Sequence, residues 1–485
     1  MMTELHELSL KETVDGLQSK KFSSVEVTDA YIKQIENNRD LNAYVLETFD
    51  QARESAKAAD KNIAAGNARP LEGVPLGIKD LYCTKGVRTT ACSNILRNFV
   101  PPYESTITQN LWNAGALMLG KLNMDEFAMG GTNTTSCFGP VKNPWDKTRI
   151  PGGSSGGSAA ATAMDMACAT LGSETGDSIR TPASMCGVVG MKPSYGRCSR
   201  YGMISYSSSL DQGGPITKTV ADAAIMLKYM AGYDHKDSVC ADLPVPDYEA
   251  SLKKDVKGMR VGYIREFNEL GGVHEDVYKG YRDCLNAFKA EGADVVEVSI
   301  PHVIFAGQIY AVLANCEAAS NLARYDGVRY GLRVDGDGSL DDMYLETRGK
   351  GFGWQIKRRL VIGSYMLSAE QYDTYFKQAQ RIRRLLFNEF AEAYNQVDVI
   401  MAPITPDAPC TIEQVLNGAD VVSRQGCLID LLTMPMAMAG VPGIAVPAGS
   451  VDGMPFGIQL CAKRFDEETV FHAGYALEQM LKGDK

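Results

Sequence analysis

The order of apolar and polar positions changes character once along the chain, near residue 74. Before it the apolar positions recur at helical spacing. Ser9 with Glu12, and Ser23 with Glu26, have the spacing of capping boxes and predict two amphipathic helices. A third helix is expected over residues 50–65, stopping at Gly66. After it short apolar runs dominate: a strand from Val74 into Lys79, a helix over 107–113 and a strand over 116–121. Residues 259–264 and 293–298 read as strands around a helix that ends before Gly292, without a GxGxxG turn to suggest a dinucleotide. Helices are expected over 306–325 and 354–394, a strand over 397–405, and a hairpin of 441–447 with 456–461 around Asp452-Gly453. Strands that alternate with helices predict an α/β layer fold, with its site in the turns at strand ends.

Composition narrows the setting. With 485 residues, 45% of them hydrophobic, the chain can bury a large core, and length alone suggests two or three domains. A net charge of −10, with no basic tract, argues against a direct grip on nucleic acid. Twelve cysteines with no CxxC spacing read as reduced thiols, and neither a zinc site nor a redox motif is expected. Residues 1–10 are polar, unlike a signal peptide, and no uninterrupted apolar run reaches about 18 residues, so a cytoplasmic chain without a membrane span is expected.

The densest chemistry lies in Pro151-Gly152-Gly153-Ser154-Ser155-Gly156-Gly157-Ser158, which opens an alanine-rich helix. Glycines allow close approach, and the first free N–H groups of a helix favour negative charge. Gly152 and Gly157 have P-loop spacing, but Ser158 stands where the lysine of a P-loop belongs, so the phosphate reading fails. A flexible linker shares this composition, yet a second cluster follows in Leu171-Gly172-Ser173-Glu174-Thr175-Gly176-Asp177-Ser178-Ile179-Arg180. Two serine-bearing turns around one helix point to hydroxyl chemistry, which needs a base. None of the five histidines lies near these turns in sequence. Lys79 and Lys121, each at the end of an apolar run, compete for the role, and composition does not choose between them.

These turns, together with Gly77-Ile78-Lys79-Asp80, Gly120-Lys121-Leu122-Asn123-Met124-Asp125-Glu126-Phe127, Gly187-Val188-Val189-Gly190-Met191-Lys192-Pro193, Tyr195-Gly196-Arg197 and Ser208-Ser209-Leu210-Asp211-Gln212, resemble the amidase signature family over nearly the whole chain. Within it, Asn321-Leu322-Ala323-Arg324-Tyr325-Asp326-Gly327, Gly351-Phe352-Gly353 and Lys357-Arg358-Arg359 are similar to the ammonia-producing subunits of tRNA-dependent amidotransferases. The resemblance implies one domain over residues 1–485, with a signature core over about 72–220 and the helices of 1–66 outside it. Its fold would be a mixed central β-sheet covered by helices on both faces.

The same resemblance implies a mechanism. Ser178 would be the nucleophile, Ser154, after a cis peptide, the proton relay, and Lys79 the base. The backbone N–H groups of Thr175, Gly176, Asp177 and Ser178 would hold the oxyanion. Arg359 would take the α-carboxylate of glutamine, Asp430 its α-ammonium, and Tyr310 would line the pocket. No metal or cofactor is implied in this chain. ATP and magnesium would be used by a partner subunit that activates Glu-tRNA(Gln), and a small third subunit would join them. The chain departs from the family at Ala437, commonly asparagine, and at Asp177, usually glycine. A carboxylate about 5 Å from a developing oxyanion would cost about 3 kcal/mol unless it turned outward or met a cation. A free-standing amidase of small amides and an inactive scaffold are the alternative readings.

Overall fold

The computed structural model describes residues 4–268 and 270–483. Its strands are β1 (Tyr44–Glu47), β2 (Pro75–Lys79), β3 (Leu117–Leu122), β4 (Ala169–Glu174), β5 (Val189–Lys192), β6 (Gln212–Thr217), β7 (Arg260–Ile264), β8 (Asp294–Val298), β9 (Val399–Pro403), β10 (Gly443–Val451) and β11 (Met454–Ala462). They form one 11-stranded sheet in the order β1-β3-β2-β4-β6-β5-β10-β11-β9-β7-β8. The sheet is parallel across β3-β2-β4 and β9-β7-β8 and antiparallel elsewhere. Every residue of β2, β3 and β4 is buried, as expected of strands covered on both faces.

The covering α-helices are α1 (Leu10–Gln18), α2 (Ser24–Asn37), α3 (Phe49–Ala64), α4 (Thr106–Ala114), α5 (Gly156–Ala163), α6 (Arg180–Cys186), α7 (Val220–Met230), α8 (Arg265–Asn268), α9 (Glu275–Ala290), α10 (Ala306–Asn321), α11 (Leu340–Gly351), α12 (Trp354–Met366), α13 (Gln378–Gln396), α14 (Ile412–Leu416), α15 (Asp420–Ala439) and α16 (Glu467–Gly483). Both predicted capping boxes form at α1 and α2. The hairpin turns at Asp452 and Gly453, both with positive φ (52° and 77°), the geometry that favours this dipeptide.

The structure departs from the sequence pattern in four places. The single helix expected over 354–394 is broken between α12 and α13, where the N–H of Ser368 bonds to the Tyr365 carbonyl and that of Gln371 to the Ser368 carbonyl. No glycine or proline marks that break. The segment before residue 66 contributes β1 to the sheet edge as well as helices. The helical run Pro301–Arg324 is long and apolar enough, by length and composition, to cross a membrane, because its alanines and aliphatics outweigh the polar residues that interrupt it. In this fold it packs against α12, α13 and α15. Finally, α15 had no sequence signal, since Pro435 lies in its interior.

Topology places the chemistry. β2 and β4 are parallel neighbours, pairing Ile78 with Leu171, so their C-terminal ends lie side by side. One end carries Lys79 and the other feeds the loop of residues 175–178. α5 lies against both strands and brings the glycine-serine turn to the same edge. It approaches closely because a β-carbon at Gly157 would run into the Asn123 carbonyl oxygen.

Candidate active site

Lys79 is fully buried, with its Nζ 2.8 Å from Ser154 Oγ, 2.7 Å from Ser155 Oγ and 3.3 Å from the Ser173 carbonyl oxygen. It has no salt-bridge partner among the described residues, and burial pushes its pKa down to about 7. Lys121, its competitor in the sequence, is equally buried but donates to the Tyr82 carbonyl at 2.6 Å and to Thr89 at 2.9 Å, with Asp80 at 3.7 Å. That lysine ties loops together, whereas Lys79 faces hydroxyls. The histidines lie elsewhere: His6 bonds to Gln34, His302 to Glu389 and His472 to the Asp255 carbonyl, His274 caps α9 by accepting from the Asp276 N–H, and His235 is exposed.

The two serines on Lys79 are not equivalent. Ser155 Oγ also bonds to the Ser173 carbonyl at 3.1 Å and accepts from the Ser173 N–H at 3.2 Å. Ser154 Oγ meets only Lys79 among the described residues, which leaves its proton free to move. The Gly153–Ser154 peptide is cis. The N–H of Ser155 donates to the Ser178 carbonyl at 3.2 Å, which joins the two turns, and the Ser178 hydroxyl is left without a hydrogen bond to the described residues. Ser155 went unread in the sequence because nothing in a Ser-Ser pair says which hydroxyl is committed.

The loop after β4 is built as a cradle. Among the described residues no backbone acceptor is found for the N–H groups of Thr175, Gly176, Asp177 and Ser178. The next two, on Ile179 and Arg180, donate to the Glu174 carboxylate at 3.0 and 3.1 Å. Behind the loop, Arg180 and Glu174 form an ion pair at 2.6 Å with neither side chain exposed, and Arg180 Nη2 also holds the Gly176 carbonyl at 2.8 Å. Arg180 reaches the Thr433 carbonyl at 3.0 Å, and Gln459 Nε2 the Leu432 carbonyl at 2.7 Å, in the helical turn that Pro435 interrupts. Thr175 Oγ1 donates to Asp211 at 2.7 Å. A β-carbon on Gly176 would meet the Met434 sulfur, so the Met434 side chain packs directly on this loop.

A cavity of about 320 Å³ opens beside this loop, lined by Asp177, Tyr310, Asn315, Arg359, Asp430 and Met434 among others. The three expected pocket residues therefore meet, from α10, α12 and α15. Arg359 donates to the Tyr206 hydroxyl at 2.7 Å, and its buried Nε has no partner among the described residues. Asn315 Oδ1 is likewise buried and unpartnered, a site the sequence did not reveal. Burial pushes Asp430 up to about 6, with Arg359 opposing. Ala437 is buried in α15. Asp177 takes neither of the two escapes expected for it: it is 7% exposed, and burial, then Asp430 and Glu174, push it up to about 7. Its carboxyl neither turns outward nor pairs with a cation, and burial makes it far easier to protonate than a free aspartate. Among the described residues no group of three or more His, Cys, Asp or Glu is placed to hold a metal ion.

Comparison with known proteins agrees with this geometry. Residues 26–471 match the amidase family. The chain is 52% identical to the A subunit of a glutamyl-tRNA(Gln) amidotransferase of Rhodopseudomonas palustris (strain BisB18), over 99% of this chain and 98% of that one. The crystal structure of the corresponding glutamyl-tRNA(Gln) amidotransferase polypeptide from Thermotoga maritima superposes with a TM-score of 0.80 at 34% identity, covering 99% of this chain and 96% of that one. The peptide amidase of Stenotrophomonas maltophilia superposes with a TM-score of 0.82 at 28% identity, covering 98% and 97%. With its glycine-serine turn, buried lysine and cradle loop in one place, this chain belongs to the amidase signature family.

Proposed function

We propose that this chain is the glutaminase subunit of a glutamyl-tRNA(Gln) amidotransferase. The observation that carries the chemistry is a fully buried lysine, free of any salt bridge, held 2.8 Å from a serine hydroxyl that has no other partner among the described residues. A free lysine has a pKa of about 10.4 and is no base at neutral pH. One held near 7 is neutral often enough to accept a proton.

In the forward step Ser178 Oγ attacks the side-chain amide carbon of glutamine. Its proton passes to Ser154 Oγ as the proton of Ser154 passes to Lys79 Nζ. The oxyanion is held by the amides of residues 175–178, each such donor being worth about 3 kcal/mol. Return of the proton to the nitrogen expels ammonia and leaves a glutamyl ester on Ser178. Water attacks the ester through the same relay and releases glutamate.

The cavity fits this substrate. Arg359 presents unpartnered N–H to an α-carboxylate, while Asp430 faces an α-ammonium. The likeness to the amidotransferase relatives supports an assembly with B and C subunits, in which a partner uses ATP and magnesium to activate Glu-tRNA(Gln) and receives the ammonia. No cofactor is assigned to this chain, and contact with tRNA is made through the partner. The test is glutamine hydrolysis by the chain alone and by the complex, with and without Glu-tRNA and ATP. Stimulation in the full complex is expected. Activity indifferent to the partners would make it a free-standing amidase, and no activity under any condition would make it a scaffold.

A further inference from the structure

We propose that the Asp177 side chain determines specificity for substrates that carry a free α-ammonium. Asp177 and Asp430 both line the cavity that Arg359 also lines, and the two carboxyls act on each other. The inference rests on the glutaminase reading and adds to it a residue where the family usually has glycine.

Four observations carry it. Asp177 lines the same cavity as Asp430, Arg359 and Asn315. It is 7% exposed, so what it faces is cavity and not bulk water. The Thr181 hydroxyl beside it favours its charged form, and among the described residues no cationic side chain forms a salt bridge with it. Asn315 Oδ1, which belongs to another residue lining this cavity, is buried and accepts from no donor among the described residues. Two carboxyls and an amide oxygen thus line one cavity, and burying such groups without full pairing is costly. A bound ammonium supplies three donors and one positive charge. Without it the two carboxyls repel, and Asp177, facing Asp430 on α15, Arg359 on α12, Tyr310 on α10, and Glu174 and Arg180 on its own loop and helix, holds a proton near neutrality. Binding of the ammonium releases that proton and leaves Asp177 a carboxylate paired to the substrate, away from the oxyanion.

The test compares ammonia release from glutamine and from 4-carbamoylbutanoate, which is glutamine without its amino group, using the assembled complex. Asp177→Asn keeps the backbone amide and the side-chain shape. It is expected to raise KM for glutamine about tenfold, the loss of one charge-assisted contact, with kcat within about twofold, and to leave KM for the deaminated amide unchanged. Asp177→Gly is expected to lose the same discrimination, which keeps the test open should the asparagine variant fold poorly. Equal KM ratios in wild type and both variants would overturn the inference. So would an equal fall in kcat for both substrates, which would place the carboxyl in the oxyanion cradle. A wild-type complex that hydrolyses the deaminated amide but not glutamine would overturn the glutaminase reading itself, and is recognised before any variant is compared.

Discussion

Lys79 and Lys121 are both fully buried ammonium side chains at the ends of neighbouring strands, and one contact separates their roles. Asp80 stands 3.7 Å from Lys121, whereas hydroxyls surround Lys79. Composition could not make this distinction and the family resemblance did, because Lys79 reaches Ser154 only when β2 and α5 assemble. Lys79 is lowered to about 7 in the fold, so it is protonated below that pH and neutral above it. Ammonia release at low glutamine should therefore fall as pH drops through about 7, and in Asp177→Gly, which removes a second group titrating nearby, that limb should persist. The same shift sets stability: between the folded and unfolded pKa the unfolded chain binds more protons, so Lys79 costs the fold most below about 7 and progressively less as pH rises. Lys79→Met should abolish activity and raise the melting temperature near pH 6, read by calorimetry. Ser154→Ala should lower kcat by about 10²–10⁴-fold, the range for a lost proton-transfer group, and Ser155→Ala by clearly less, since Ser155 is bound to Ser173.

The loop of residues 175–178 is backed by a buried ion pair and by hydrogen bonds from the elements on either side of it. Glu174 ends β4, Arg180 begins α6, and their buried pair is anchored on the Thr433 carbonyl of α15, two residues before Pro435. Removing one partner of such a pair leaves a buried charge alone. Glu174→Gln should therefore destabilise the fold by about 3–5 kcal/mol in urea unfolding, and also lower kcat more than it raises KM. Ser23→Ala, which removes one surface capping box, should cost only about 1 kcal/mol and leave kcat untouched. Capping boxes, the Asp452-Gly453 hairpin and the strands of the signature region were legible because they announce themselves through local rules. α15 does not, because a proline in a helix argues against one, and its support comes from residues up to 253 positions away. The gap between α12 and α13 was also unreadable, for no breaker residue stands there.

At the scale of the molecule the sheet does two jobs. Its parallel pair β2-β4 sets Lys79 beside the loop of residues 175–178, and helices α10, α12 and α15 wall the cavity proposed to take glutamine. The family resemblance made the pocket residues legible, whereas composition alone would have left Tyr310, Arg359 and Asp430 unremarked. What neither supplied was the side chain of Asp177, whose state depends on burial against Asp430. In the assembled complex Ser178→Ala should abolish amidation driven by glutamine and preserve amidation driven by added ammonia; loss of both would make the serine structural. The most direct test is a rapid acid quench of the complex during its first turnover of glutamine, followed by peptide mass mapping. A glutamyl ester on Ser178, absent in Lys79→Met, is the predicted result, and ammonia released with no adduct, or with the adduct on another residue, would contradict it.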